Sequence, residues 1–244
     1  MVHFVSFLLV AVLYPVFLND IIDDVIRALI FDFDGLILET EGPIYQSWLE
    51  VYQAHGQHLP ITEWVKTVGT WDSYFDPFID LEGRLGYSLD WSVIEPRRQQ
   101  REATLVLQQS VLPGVVEYIQ DAHRMGLKVG VASSSDRSWV QGHLARLGLL
   151  DSIDCLRVRE NVQQAKPDPE LFLSAAACLG IQPCEAIALE DSHHGVIAAR
   201  AAGMFAVVVP HDLTAHLPFK EAHMRLESLA SLPLEKLIAA IESL

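Results

Sequence analysis

The chain has 244 residues, and its 17 lysines and arginines against 32 acids leave a formal net charge of −15. A polyanion needs a concentrated basic face, so this balance argues against a nucleic-acid partner. Half the residues are apolar and a fifth are charged, which is a globular composition with enough material for one large domain, or for a main domain carrying a smaller insert.

Phe4 to Leu18 is almost unbroken apolar sequence. It is shorter than the roughly 20 residues a membrane-crossing helix needs, nothing basic precedes it, and no small-residue cleavage pattern follows it. Residues 1–24 are therefore expected to lie outside the working fold, with a weak membrane anchor or a signal peptide as lesser alternatives. A valine start at Val25 would account for such an apolar, cation-free leader. From there strand-like and helix-like segments alternate. Ala28-Leu-Ile-Phe-Asp-Phe33 is a continuous apolar run interrupted by an acid, as in a strand buried on both faces. Residues 42–111 then read as helical: Pro43 opens a helix with Ile44, Trp48, Val51 and Tyr52 on one side. Ser92-Val-Ile-Glu95 resembles a capping box ahead of a polar helix that runs toward Gln109. Trp48, Trp64, Trp71, Tyr74 and Phe75 give this insert an aromatic core.

Leu112-Pro-Gly114 returns the chain to the strand–helix rhythm. Val115, Ile119 and Ala122 face one way before Gly126, and Lys128-Val-Gly-Val-Ala-Ser133 is a second buried strand. Val140, Leu144 and Leu147 line the next helix before Gly148. Asp168-Pro169 reads as a helix cap with proline in first position, followed by Phe172, Ala175, Ala176 and Leu179 on one face. Ala186-Ile-Ala-Leu-Glu190 and Phe205-Ala-Val-Val-Val209 complete the strands. The pattern predicts an α/β protein with a doubly wound parallel sheet at 25–41 and 112–244, and a helical insert at 42–111 over its reactive edge. Cys155, Cys178 and Cys184 suggest neither a disulfide framework nor a zinc cluster, which fits a reducing, cytoplasmic setting.

Four separated pieces carry chemistry. Asp32 and Asp34 leave the first strand into a turn at Gly35, so one carboxylate can act as nucleophile while the other handles protons. Ser133 and Ser134 end the second strand, where a hydroxyl and the following amides can hold a phosphate oxygen. Lys166 stands just before a capped helix as a point charge for a phosphoryl group. Glu190 and Asp191 follow a buried strand and suit Mg²⁺, a hard cation that prefers carboxylates. Any one of these pieces reads equally well as helix capping or surface charge. His193 and His194 are read as helix-start residues rather than ligands, because neighbours on a helix point about 100° apart. Arg137 and Arg84 are read as surface decoration of a helix start and of the insert.

In this order the pieces resemble the haloacid dehalogenase superfamily, in its β-phosphoglucomutase-like branch. Ile30-Phe-Asp-Phe-Asp-Gly-Leu-Ile-Leu-Glu-Thr-Glu41 is similar to the first motif and Val131-Ala-Ser133 to the second. Lys166-Pro-Asp-Pro169 is similar to the third, and Leu189-Glu-Asp-Ser192 with Gly195 to the fourth. The resemblance implies a Rossmann-like core with a small helical cap, and a phosphatase acting on a small phosphorylated metabolite such as a sugar phosphate. It implies that Asp32 attacks phosphorus, Asp34 serves as general acid and base, and Ser133 and Lys166 hold the phosphoryl group. Mg²⁺ would be held by Asp32, the Asp34 carbonyl and Asp191, with Glu190 adjacent. A sugar-phosphate mutase is the alternative, against which Val68-Gly-Thr-Trp-Asp72 offers an acid where mutases of this branch carry a cap arginine. Lys66 as a phosphonatase-type Schiff-base lysine is disfavoured by the presence of Asp34. A non-catalytic scaffold of the same fold would not require Asp32, Asp34, Ser133, Lys166 and Asp191 together. A monomer, without a membrane or nucleic-acid partner, is expected.

Overall fold

The computed structural model describes residues 26–65 and 75–244. The leader at 1–24, the Val68–Asp72 stretch, Lys66, Trp71 and Tyr74 lie outside the described residues. The first strand, β1 (Ala28–Phe31), is followed by helices α1 (Glu41–Ala54), α2 (Ile61–Trp64), α3 (Pro77–Leu85) and α4 (Trp91–Leu107). The alternation resumes with α5 (Val115–Arg124), β2 (Lys128–Ala132), α6 (Arg137–Arg146), β3 (Cys155–Arg157), α7 (Glu170–Leu179) and β4 (Ala186–Glu190). It closes with α8 (His193–Ala201), β5 (Phe205–Val208), β6 (Met224–Arg225) and α9 (Leu234–Ile241). The strands form one parallel sheet in the order β3-β2-β1-β4-β5-β6.

Parallel strands need helical crossovers, and these cover both faces, so β1 is buried throughout. Its side chains alternate: Leu29 and Phe31 enter a core shared with α5, α6 and α9, whereas Ala28 and Ile30 enter one shared with α7 and α8. Burying each large apolar side chain contributes roughly 2 kcal/mol, so strand register is held strongly from both faces. The strand order reverses direction between β1 and β4. At such a switch point the crossovers diverge and leave a crevice beyond the carboxyl ends of the strands. Asp32 follows β1 directly, Ser133 follows β2, and Glu190 ends β4 with Asp191 next in the chain.

The inserted helices surround a separate apolar cluster of Trp48, Tyr52, Leu59, Trp64 and Leu81, with Phe75 partly buried against it. Phe78 and Trp91 pack edge-on at 4.6 Å between ring centroids, an arrangement favoured by ring quadrupoles. Among the described residues no helix is long and apolar enough to cross a membrane.

Several local expectations need correction. α4 is capped by Asp90, whose carboxylate accepts from the Ser92 amide at 3.1 Å, and not by Ser92. Glu95, the expected partner in a capping box, instead grips Arg98 at 2.7 and 2.8 Å. α1 begins at Glu41, so Pro43 lies within its first turn. Asp168 does satisfy the first amide of α7, accepting from Glu170 N at 2.9 Å, but Pro169 stands at the cap position. Cys155 and Cys178 form a disulfide, contrary to the reading that none is indicated, and Cys184 is free. The cause lies in β3, a strand too short to announce itself by pattern, which sets Cys155 against α7 with a Cα–Cα separation of 6.2 Å.

Candidate active site

Asp32 leaves β1 with its amide bonded to the Leu189 carbonyl of β4 at 2.9 Å, which fixes its backbone beside the fourth motif. Its side chain meets Lys166, whose ammonium also donates to Glu190 Oε1 at 2.6 Å and to the Ala132 carbonyl at 2.8 Å. Lys166 therefore spends all three N–H donors on groups from three strand ends. It is 1% exposed, and its ammonium lies 5.0 Å from the Phe172 ring centre, so almost no water reaches it. Burial pulls the Lys166 ammonium down, but the charges and hydrogen bonds of Asp32 and Glu190 overrule it and hold its pKa above the ordinary lysine range. Burial drives Asp32 well above the usual carboxylate range; Lys166 opposes this, while Glu190, Asp191 and Asp34 add to it. Glu190 is also raised by burial, against the pull of Lys166.

Ligand atoms of Asp32, Glu190 and Asp191 lie within 4.8 Å of one another, and all three residues are buried. Asp191 Oδ2 is buried without a hydrogen-bond partner among the described residues. Three carboxylates face one ammonium here, with the His211 imidazole 3.1 Å from Asp191, so negative charge is left over for a cation to offset. Two glycines make the packing of these acids possible. A Cβ on Gly35, which sits at φ 79°, would overlap the Asp191 carboxylate, and one on Gly195 would overlap that of Glu190. Ser192 completes this corner by accepting from Gly195 N and donating to Glu190 Oε2, both at 3.0 Å. The donor set is all oxygen and strongly anionic, so it fits Mg²⁺.

Asp34 is expected to add its carbonyl, and its carboxylate is not part of the acidic trio. Oδ2 accepts from Ser135 at 2.6 Å and Ser133 at 3.3 Å. Oδ1 accepts from Thr40 and from the Trp139 indole, each at 2.9 Å. The structure thus brings Asp32, Asp34, Ser133, Lys166, Glu190 and Asp191 to one edge, as the sequence suggests. Ser134 lies in the same loop, although its neighbour Ser135 is the one that bonds Asp34. The Arg137 guanidinium donates to Asn161 Oδ1 at 2.9 Å while its backbone amide donates to Glu160, and Arg84 bonds Asp80 within the insert. His193 opens α8 with Nδ1 3.8 Å from Glu221, outside the acidic trio.

Sequence reasoning missed four neighbours: Thr40, Ser135, Trp139 and His211. Thr40 stands inside the first motif and Ser135 just after the second, so proximity in sequence was a usable signal. Trp139 and His211 carry none. His211, in the loop after β5, places Nε2 3.1 Å from Asp191 Oδ2 at an angle poor for a hydrogen bond. Burial works against its protonation, but Asp191, then Glu39 and Glu41, push the imidazole up to about 9. Glu41 is raised to about 8 by desolvation, with repulsion from Asp191 and Asp34 adding to it.

Comparison with known proteins places this geometry. The family model of haloacid dehalogenase-like hydrolases matches residues 26–203. The chain belongs to that family. It is 43% identical over 218 residues to YhcW of Bacillus subtilis (strain 168), covering 89% of this chain and 99% of that one. It is 34% identical over 224 residues to hexitol phosphatase B of Escherichia coli (strain K12), covering 87% and 97%. Among solved structures it resembles CbbY from Rhodobacter sphaeroides in complex with phosphate. The TM-score there is 0.66 at 27% identity, over 85% of this chain and 96% of that one.

Proposed function

We propose that the chain is a Mg²⁺-dependent phosphatase that cleaves a small phosphorylated metabolite, such as a sugar or sugar-alcohol phosphate, through an aspartyl-phosphate on Asp32. The observation that carries this reading is the buried contact of Asp32 with Lys166 beside two further acids, one with an oxygen that accepts no hydrogen bond. A structural ion pair needs no third buried carboxylate next to it. The similarity to hexitol phosphatase B supports the substrate class. Residues 42–111 would act as the cap whose side chains select the substrate.

In this reading Asp32 is the nucleophile, already fixed by its amide and by Lys166 at the end of a buried strand. Lys166 and Ser133 hold the phosphoryl oxygens. Mg²⁺ bound by Asp32, the Asp34 carbonyl and Asp191, with Glu190 adjacent, would offset the repulsion between carboxylate and phosphate. As the ester P–O bond breaks, its electron pair stays on the leaving oxygen, which takes a proton from Asp34. Asp34, now a carboxylate, accepts a proton from the water that attacks phosphorus, and Asp32 is released.

The test is release of inorganic phosphate from a panel of sugar and sugar-alcohol phosphates, with Mg²⁺ and after chelation. Turnover that appears with Mg²⁺ and vanishes in Asp32→Asn is the expected result. Turnover unaffected by chelation, or none on any ester, would overturn the reading. Isomerisation of glucose 1-phosphate primed with a bisphosphate would move the assignment to a mutase.

A further inference from the structure

The phosphatase reading explains why Asp34 must be present but not why it is held by a tryptophan. Trp139 lies on the first turn of α6 and reaches the end of β1 across 105 residues of chain, donating its indole N–H to Asp34 Oδ1 at 2.9 Å. The ring is not free to leave. It packs edge-on against His143 at 4.4 Å between centroids, and His143 stacks in turn on Phe33 at 6.4 Å. Phe33 stands between the two motif aspartates and is fully buried, so the indole is braced by the same backbone that carries the acid.

The chemistry of the four donors to Asp34 is unequal. Hydroxyls of Ser133, Ser135 and Thr40 can each donate or accept, and so adapt to a carboxylate or a carboxylic acid. An indole N–H only donates. Oδ1 accepts from Trp139 and from Thr40, and an oxygen that carries a proton is the poorer acceptor for an indole that can only donate. A proton on the carboxyl group is then directed to Oδ2, which faces Ser133 and Ser135 at the end of β2. That is the side on which the phosphoryl group is expected.

We propose that Trp139 is a positioning residue: it holds Asp34 by Oδ1 and presents Oδ2 as the oxygen that gives its proton to the leaving group. The proposal rests on the reading of Asp34 as the proton carrier. In the step, the O–H bond at Oδ2 breaks as the ester P–O bond breaks, the leaving oxygen gains the proton, and Asp34 is left a carboxylate.

Trp139→Phe keeps a ring against His143 and removes only the donor. On an alkyl phosphate, whose leaving oxygen needs the proton, kcat should fall about tenfold with KM unchanged. On p-nitrophenyl phosphate, whose phenolate leaves unprotonated, the fall should stay within about twofold. In an Asp34→Asn background the same substitution should have no further effect on the alkyl ester. Equal losses on both esters, no loss on either, or a loss that adds to that of Asp34→Asn would each overturn the proposal. A second measurement does not depend on turnover. The indole N–H resonance of Trp139 in the full chain, assigned by its disappearance in Trp139→Phe, should move upfield in Asp34→Ala, and an unmoved resonance overturns the proposal. If the unaltered chain hydrolyses no ester, the phosphatase reading falls and takes the positioning role with it. A resonance that still moves in that case isolates the fault in the function, and not in the contact.

Discussion

Among the described residues one arginine and one lysine are buried, and each lies between two carboxylates. Arg98, on α4 in the insert, binds Glu95 and Glu102 of its own helix, donates to Ser47 Oγ of α1 at 3.0 Å, and lies 4.6 Å from the Trp48 ring. Lys166 binds Asp32 and Glu190, which are 134 and 24 residues away in sequence. The arginine site closes on itself: its acids follow from helical spacing and reach solvent, with side-chain exposures of 21% and 18%. The lysine site does not close, because Asp191 stands beside it as a third buried acid, with an oxygen that meets His211 at 3.1 Å but accepts no hydrogen bond. A buried cation whose charges are settled within one helix is part of the packing. One that gathers acids from two strand ends and a carbonyl from a third, with a further acid alongside, is equipped to accept something else.

The contrast is broken most directly at Asp32. Asp32→Asn keeps the shape of the carboxylate but cannot become an aspartyl phosphate, so turnover should fall by at least about a thousandfold with the melting temperature preserved. Phosphate release by a purified variant at high enzyme concentration checks this. Asp34→Asn should cost about a hundredfold on alkyl phosphates and far less on activated aryl phosphates, as read from the ratio of the two kcat values. Equal impairment would contradict the proton-carrying role.

Lys166→Met and Arg98→Met compare the two cations themselves. Removing Lys166 leaves Asp32 and Glu190 buried without a counter-charge, so stability near pH 8 without Mg²⁺ should drop by about 3 kcal/mol. The drop should shrink near pH 5, where burial lets both acids take up protons. Arg98→Met should cost only about 1–2 kcal/mol, because its acids can rehydrate, and should leave kcat on p-nitrophenyl phosphate nearly unchanged. Denaturant unfolding at the two pH values measures both.

The last prediction concerns Glu41. Its folded pKa of about 8 lies above the ordinary 4.5, so the folded chain binds a proton that the unfolded chain has lost. That contribution is fully present below about 4.5 and disappears as pH rises through 8, the reverse of a salt-bridged carboxylate. In chelator, Glu41→Gln should flatten this part of the stability–pH curve. A wild-type curve that rises over the same window would refute the assignment.

What was legible in the sequence follows from this contrast. β1 and β4 announce themselves because strands buried on both faces are continuous apolar runs, and the acids at their ends stand out against those runs. Lys166 was readable only through its flanking prolines and its place in the ordered set of motifs. β3 and β6 were not readable, since three and two residues carry no periodicity. The disulfide went with β3. Trp139 and His211 were invisible for another reason: each meets the site across a crossover, and neither position is marked by spacing or by a turn residue. Even the cap of α4 shifted by two residues, because aspartate and serine at neighbouring positions are equally able to accept from an amide.

The strand order has a consequence for how the protein is made. Among the described residues the central strand β1 comes first in the order of synthesis, but its two neighbours, β2 and β4, begin only at Lys128 and Ala186. Until the ribosome has passed Asp191, Asp32 and Lys166 lack their companion acids, so a chain ending before Glu190 cannot assemble the acidic trio. The mutual repulsion of the acids therefore arises only where β4 lies beside β1. A divalent ion would bind the finished sheet and not the growing one, drawing assembly toward completion by mass action.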